Sequence, residues 1–487
     1  MIILIVNPLF RFDGDTLTTF ETKIGLGPLY LAAVAMKLGY KVHIINISKF
    51  DYLCLLKKIN PDIVMVTCMI EQQKAAFEIL KQTKEFNKKI ITILGGYFPT
   101  FLYEKILKNF HSIIDFICVG EGEEFLQTFL EEIKKDKPEY KKIPGMAYYK
   151  NEKVFLNNPK FVKNLDKLPF PARFLLRKKV PIIISSRGCF HDCRFCAIKN
   201  FYKRTIRFRS LENFIEELKV MEDKKYNEIS IVDDNFVISG NRLKELKELL
   251  CKKKLKLHLN IMLRADQIRS IKFCKDLNLL NFRKIKFGLQ SITPEFHKFM
   301  HTELNKKDLN KFFNNLKFIE KSEIHLFYIM NSGNKNERVV DIIKNNEFLI
   351  KKIKTLRNKC KLKIVVDPFI LGPSPGTDIK KYFITNCYFY HKYNIKKLEN
   401  WPRYKYNDLN EKKLKNIYKE FIFQLSNEGL FNESKNIFSF FFNLFCKFIT
   451  SSLSFKAKIL MIIESTGFIL IGRNVEKIKY YIKEKYL

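Results

Sequence analysis

Apolar strands and amphipathic helices alternate twice along this chain, and that alternation limits the fold more than any other feature. Residues 2–7, IILIVN, read as a buried strand ending at Asn7-Pro8. GLGPLYLAAVAMKLGY follows as an amphipathic helix stopped by Gly39. Strands KVHIINI, DIVMVTCM, KIITILGG and DFICVGEGE then alternate with helices DYLCLLKKINP, QKAAFEILKQTKEFN, FLYEKILKN and EFLQTFLEEIKK. Short links between such elements predict an α/β fold, a doubly wound parallel sheet of the Rossmann-like kind. Ligands of such sheets bind at the carboxyl ends of the strands, so the candidate loops are 7–28, 95–100 and 120–123. Gly95, Gly96, Gly120 and Gly122 would let the backbone come close to a ligand, although a tight turn needs them equally well.

Residues 140–178 are irregular, with a hairpin expected at MAYYKNEKVFL and a proline-bearing crossing at LDKLPFPARFLL. From Pro181 the alternation restarts with strand PIIISS, followed by EISIVDD, LHLNIML, KIKFGLQS, EIHLFYIM and LKIVVDPFI, each after a helical stretch. About six β/α units predict a partial or full β/α barrel, whose sites lie where strands end. The expected organisation is a first domain over 1–138, a linker over 139–178, a barrel over 179–378 and a mainly helical C-terminal region over 379–487. That last region is rich in Phe, Tyr and Lys and holds no motif. Its aromatic stripe reads as core or lid, with peripheral membrane contact through 436–471 as a rival.

The length, 487 residues, exceeds one ordinary core and agrees with several domains. The net charge of +37 would suit a polyanion, but the lysines are scattered rather than gathered in a stripe. Compositional drift explains them better, so nucleic acid is not the expected partner. Of 11 cysteines, eight are dispersed, at 54, 68, 118, 251, 274, 360, 387 and 446, which is not a secreted disulfide framework. No basic leader precedes the first apolar run, and no apolar stretch is long enough to span a bilayer. The expected compartment is a reducing cytoplasm.

The remaining three cysteines sit together in residues 185–202, SSRGCFHDCRFCAIKNFY. A disulfide needs two thiols, and a structural zinc site needs four ligands. Three thiolates can instead hold three corners of a four-iron cluster, leaving one iron open to another ligand. Zinc on Cys189, Cys193 and Cys196 with His191, or with a distant residue, stays open on spacing alone.

The Cys-x3-Cys-x2-Cys spacing after the first barrel strand, with Phe195 before the last cysteine, resembles the radical S-adenosylmethionine superfamily. SRGC, RFRSLENFIEEL, ISIVDDNF, LRAD, FGLQS and LGPSPGT follow the order of one large subgroup with an N-terminal cobalamin-binding-type domain. ILGGYFPT, VGEGEEF and LDKLPFPARFLL are similar to that domain and its linker. The resemblance covers about residues 1–378.

It implies a 4Fe-4S cluster on the three cysteines, with S-adenosylmethionine as cofactor on the open iron. Reductive cleavage to a 5′-deoxyadenosyl radical would then functionalise a C–H bond, by methyl transfer, cyclisation or rearrangement. It also implies an external electron donor such as flavodoxin or ferredoxin, and a small-molecule, natural-product or lipid-like substrate. Phe195, Asp233, Asp234, Arg264, Gln290 and Ser291 match positions around S-adenosylmethionine. A carboxylate at Asp233 or Asp234 suits an ammonium, although helix capping would explain one of them. Arg264 would meet the methionine carboxylate or ribose, or else form a surface ion pair.

Gln290 replaces the family's Glu, so it can hydrogen-bond but cannot neutralise a cation. The family's Gly-x-Pro-Gly-Glu-Thr turn is replaced by YIMNSGNKNE, which keeps only Gly333 of that pattern. The Asp-x-His-x-x-Gly motif for a lower axial cobalt ligand is missing, since residues 7–28 hold no histidine. The sheet would then either hold cobalamin at Gly95, Gly96, Gly120 and Gly122 without a protein ligand, or have lost it. Two other classes compete: a tRNA methylthiotransferase-like enzyme, which needs a second cysteine triad, and a non-enzymatic zinc-stabilised binding protein.

Overall fold

The computed structural model describes residues 1–8, 25–47, 52–176, 181–236, 240–268, 270–334, 336–360, 362–386, 388–389, 404–406 and 409–431. The proposed surface at 436–471 and residues 9–24 of the first candidate loop lie outside these residues.

The first alternation forms strands β1 (Ile2–Pro8), β2 (Lys41–Ile47), β3 (Ile63–Thr67), β4 (Ile91–Gly95) and β5 (Phe116–Cys118). Between and after them come helices α1 (Leu26–Lys37), α2 (Tyr52–Ile59), α3 (Gln73–Phe86), α4 (Tyr97–Phe110) and α5 (Glu123–Glu132). The five strands are parallel in the order β2-β1-β3-β4-β5. Successive side chains of a strand point to opposite faces, and here both faces are covered. Ile3 and Ile5 of β1 pack with α1 and α5, while Leu4 and Val6 pack with α2, α3 and α4. This double burial explains why the strands read as continuous apolar runs. The hairpin at MAYYKNEKVFL forms β6 (Met146–Lys150) and β7 (Lys153–Leu156), which extend the same sheet antiparallel beyond β5.

The second alternation gives a six-stranded parallel sheet. Its strands are β8 (Ile182–Ile183), β11 (Glu228–Ile231), β12 (His258–Arg264), β13 (Phe282–Gln290), β14 (Glu323–Ile329) and β15 (Ile364–Phe369). They lie side by side from β8 to β15 without closing, so the barrel is partial. The stretch read as one strand, PIIISS, divides. Ile182–Ile183 joins the parallel sheet, whereas β9 (Ser186–Gly188) turns away to pair antiparallel with β10 (Ile206–Phe208). The intervening helices are α6 (Ile198–Phe201), α7 (Leu211–Asp223), α8 (Gly240–Lys252), α9 (Ile271–Leu277), α10 (Pro294–Met300), α11 (Lys306–Asn315) and α12 (Val339–Cys360). Ile229, Ile261, Ile285, Leu326 and Val366 face the surrounding helices in one large core. The alternate positions are far more polar. On β14, His325 sits between Asp367 at 2.9 Å and Glu323 at 3.0 Å.

Beyond the sheet, α13 (Asp378–Asn386) and α14 (Glu411–Asn427) are the helices of the described tail. Leu414, Phe421 and Leu425 of α14 enter the barrel core, so part of the aromatic stripe is core. Leu430 accepts a hydrogen bond from the Val366 amide at 2.7 Å, which partners the outer edge of β15. Three short antiparallel strands, at 388–389, 404–406 and 409–410, were not expected in a helical tail. No described helix is long and apolar enough to cross a membrane.

Candidate active site

Each residue of SSRG, just before the first cysteine, is held by a carboxylate. Asp233, at the end of β11, accepts from the Ser185 amide at 2.7 Å, the Ser185 hydroxyl at 2.6 Å and the Ser186 hydroxyl at 2.7 Å. Burial pushes its carboxyl up to about 6, against the pull of these donors. Arg187 donates to Glu121 at 3.0 Å and to Glu123 at 2.7 Å. The Gly188 amide donates to Asp234 at 2.8 Å. Gly188 itself has φ +93°, and a Cβ there would lie 2.2 Å from the Thr205 carbonyl oxygen. Gly188→Ala is therefore expected to cost at least about 1–3 kcal/mol from backbone strain alone. Denaturant unfolding and metal uptake of the variant check this, and both should fall together.

The pairing of β9 with β10 sets Arg187 directly across from Arg207. Like charges opposite each other are unfavourable, and Glu121 resolves the conflict. Arg207 donates to both of its carboxylate oxygens at 2.8 Å, while Arg187 takes one of them. Glu121 lies in the VGEGEEF loop after β5, so this buried group joins the first sheet to the cysteine loop. Sequence reasoning named only the glycines of that loop and missed the two glutamates. Pairs 64 to 86 residues apart leave no local signal.

Cys189, Cys193 and Cys196 are all free thiols, Cys193 buried and the other two half-buried. Burial raises all three, Cys196 to about 12, and the neighbouring sulfurs raise Cys189 and Cys196 further. Thiols held this way ionise readily only when a bound cation supplies the missing charge. Among the described residues, the trio of potential ligands with atoms within 4.8 Å of one another is His191, Asp266 and Glu303, not the three cysteines. Sulfurs bound to one zinc at 2.3 Å would stand about 3.8 Å apart. At least one pair of the three sulfurs is therefore farther apart than a single zinc would hold them. His191 packs at a tilt against Phe190, ring centroids 4.3 Å apart, and sits beside Asp266 and Glu303, rather than completing a thiol site.

The other expected residues divide. Asp234 lines the neighbouring cleft, while Asp233 spends its oxygens on the two serines. The hydrogen bonds of this pair run to Ser185, Ser186 and Gly188, so neither carboxylate is acting there as a helix cap. Arg264 is buried, not a surface ion pair, and donates to Asp266, to the Thr302 carbonyl and to Cys193. Its guanidinium is thus committed inside the protein. Phe195 packs on the barrel core. Gln290 has φ +56° at an irregularity in the β13–β14 ladder, and its amide folds back over Gly288. Ser291 is buried, and its carbonyl accepts from His297 at 2.9 Å. Burial lowers His297 to about 4, so the ring is neutral and its other nitrogen accepts from Thr302.

A cleft of about 360 Å³ opens at the carboxyl ends of β1, β3, β4 and β5 and extends to the loop after β8. All four candidate glycines are on its wall or at its rim: Gly95, Gly96, Gly120 and Gly122. Gly96 has φ +105°, and a Cβ there would press to 2.8 Å on the Cys68 carbonyl oxygen. Tyr97, Phe201 and Tyr202 form an aromatic side, with Tyr97 and Phe201 4.5 Å apart. Phe201 and Tyr202 lie just after Cys196 in the chain, so the cysteine loop and the cleft share a wall. Cys68 and Cys118 lie in cores on opposite faces of the first sheet, and Cys54 is exposed on α2. They form no second triad of the kind a methylthiotransferase-like enzyme needs.

Comparison with known proteins agrees with this geometry. The family described as "B12 binding domain" matches residues 17–130, and the "Radical SAM superfamily" matches residues 183–345. A Pyrococcus horikoshii protein described as an uncharacterized methyltransferase is 26% identical over 397 residues, covering 78% of this chain and 81% of that protein. Hopanoid C-3 methylase of Methylococcus capsulatus is 24% identical, covering 72% and 68%. The solved structure of OxsB, a cobalamin-dependent S-adenosylmethionine radical enzyme, matches with a TM-score of 0.69 at 18% identity, covering 96% of this chain and 71% of that one. TsrM from Kitasatospora setae, a radical S-adenosylmethionine methyltransferase, matches with a TM-score of 0.61 at 14% identity, covering 78% and 74%.

Proposed function

From a chain that is a radical S-adenosylmethionine enzyme with a B12-binding domain, we propose a cobalamin-dependent methyltransferase acting on carbon in a small molecule. The observation that carries this reading is the shared wall between the cysteine loop and the strand-end cleft. Cys189, Cys193 and Cys196 would hold the 4Fe-4S cluster. When bound, the reduced cluster supplies the electron that cleaves S-adenosylmethionine, and cobalamin supplies a methyl carrier. Asp234 faces the cleft and would meet the ammonium of S-adenosylmethionine, with Gln290 and Ser291 at the end of β13. Phe195, Asp233 and Arg264 would act by holding the loop, since their contacts run to the protein.

Cobalamin fits the donor pattern in part. The glycine-bearing strand ends and the aromatic side suit a flat macrocycle. The cleft's volume is at the low end of the range of about 300–1,000 Å³ for small-molecule sites, so a ligand this large would extend beyond it. Residues 7–28 hold no histidine, so that loop would supply no imidazole to the cofactor.

Gly95 is the cleanest probe of this site. A Cβ there meets only Cys118, at 3.7 Å, so the protein tolerates a side chain that takes space from the cleft. Gly95→Phe should weaken cobalamin binding tenfold or more, read by absorbance titration, with iron content unchanged. Unaltered binding would move the site elsewhere.

The domain limits 1–138, 139–178, 179–378 and 379–487 are retained as part of this proposal, with the β6–β7 hairpin extending the first sheet from within the linker. A flavodoxin or ferredoxin is the proposed electron donor, since the charge of +37 favours an acidic one. A reducing cytoplasm suits such a donor and the free thiols. Methyl transfer and cyclisation separate by product. With cobalamin, a reductant and S-adenosylmethionine, a methyltransferase forms S-adenosylhomocysteine as well as 5′-deoxyadenosine. Formation of 5′-deoxyadenosine alone would favour cyclisation or rearrangement.

A further inference from the structure

The three thiols are not equivalent in what surrounds them. Beside Cys189 and Cys196 the backbone amides of His191 and Ile198, both neutral, partly offset the rise that burial causes. Cys193 accepts from a cation, the Arg264 guanidinium, with Nη1 3.1 Å from its sulfur. That guanidinium is fixed on its other sides. Nε donates to Asp266 at 3.0 Å, and Nη2 donates to Asp266 at 2.9 Å and to the Thr302 carbonyl at 2.8 Å.

The support runs on through buried groups. The Thr302 hydroxyl meets His297 Nδ1 at 2.6 Å, and His297 Nε2 donates to the Ser291 carbonyl at 2.9 Å. Arg264, Asp266, His297, Thr302 and Ser291 are all buried. The arginine therefore cannot swing toward solvent, and its remaining nitrogen, Nη1, donates to Cys193.

We propose that Arg264 is a positioning residue that raises the reduction potential of the cluster through the Cys193 sulfur, with Asp266 limiting the effect. This rests on the assignment of the cluster to the three cysteines. One-electron reduction, by an external donor, adds a negative charge to the cluster and breaks no bond. A cation hydrogen-bonded to a ligating sulfur favours the more negative state. Asp266 opposes this by pairing with the same guanidinium. The two residues should therefore shift the potential in opposite directions, which a merely structural role for either would not do.

The test uses the full chain, reconstituted anaerobically, as wild type, Arg264→Gln, Arg264→Lys and Asp266→Asn. Iron per chain is measured first, and wild type without iron would overturn the cluster assignment itself. The cluster is then titrated with titanium(III) citrate and followed by electron paramagnetic resonance, without S-adenosylmethionine. Arg264→Gln should lower the reduced-to-oxidised ratio about tenfold at the wild-type midpoint, equal to about 59 mV for one electron. Arg264→Lys should fall between it and wild type, and Asp266→Asn should move the other way. If Arg264→Gln takes up no cluster, Arg264→Lys and Asp266→Asn still decide by opposite signs. Midpoints that stay at the wild-type value, or that move in the same direction, would overturn the proposal.

Discussion

Replacing Cys189, Cys193 and Cys196 together by alanine will leave a folded chain that takes up no iron–sulfur cluster and forms no 5′-deoxyadenosine. The loop does not depend on the thiols for its shape. The Arg194 amide donates to the Met300 carbonyl at 3.0 Å, and the Ile379 amide donates to the Arg194 carbonyl at 3.0 Å. Lys199 holds Asp192 at 2.7 Å within the same loop. None of the three cysteines is among the buried residues that form the apolar cores. Circular dichroism and the melting temperature should stay near wild type while bound iron and sulfide drop to background. A cluster that persists in this variant would place its ligands elsewhere.

The Glu121 carboxylate carries the second large effect. Removing one partner from a buried ionic group leaves its cations uncompensated, which costs about 3–5 kcal/mol. Glu121→Ala leaves Arg207 without a carboxylate, keeping only its hydrogen bond to the Val162 carbonyl, and leaves Arg187 only Glu123. Guanidine unfolding should show a loss of that order, and Glu121→Gln should recover part of it through the remaining hydrogen bonds. The same group predicts acid lability. Burial alone would raise the Glu121 carboxyl, but the Arg207 hydrogen bonds and the Arg187 charge hold it below its usual value. Its stabilisation is complete above the unfolded pKa, near 4.3, and is lost as pH falls through the lower folded value. Glu121→Gln should flatten that acid limb, which a pH series of unfolding curves checks. An unchanged limb would assign the acid response to other carboxylates.

The parts of the fold legible in the sequence are those set by local periodicity. Doubly buried strands such as IILIVN are continuous apolar runs, and the cysteine spacing is itself local. The break within PIIISS was not legible, because the turn after Ile183 answers to Asp233, which lies just beyond the end of β11. Asp233 and Arg264 do lie at strand ends, yet position alone could not say that their polar atoms are spent on Ser185, Ser186, Asp266 and Thr302. The cleft's glycines were found from their loops. The acidic residues between them were not, since their partners Arg187 and Arg207 are set by the packing of one sheet against the other loop. The small sheet in the tail rests on pairings of two or three residues, too short for a period to show.

The central proposal is that the three cysteines would leave one iron open for S-adenosylmethionine, beside a cleft proposed for cobalamin. Anaerobic reconstitution of the wild-type chain, with metal analysis and a 5′-deoxyadenosine assay, tests it most directly. The expected result is about four irons per chain, with 5′-deoxyadenosine formed only when S-adenosylmethionine and a reductant are both present. Stoichiometric zinc in place of iron, with no 5′-deoxyadenosine, would contradict it.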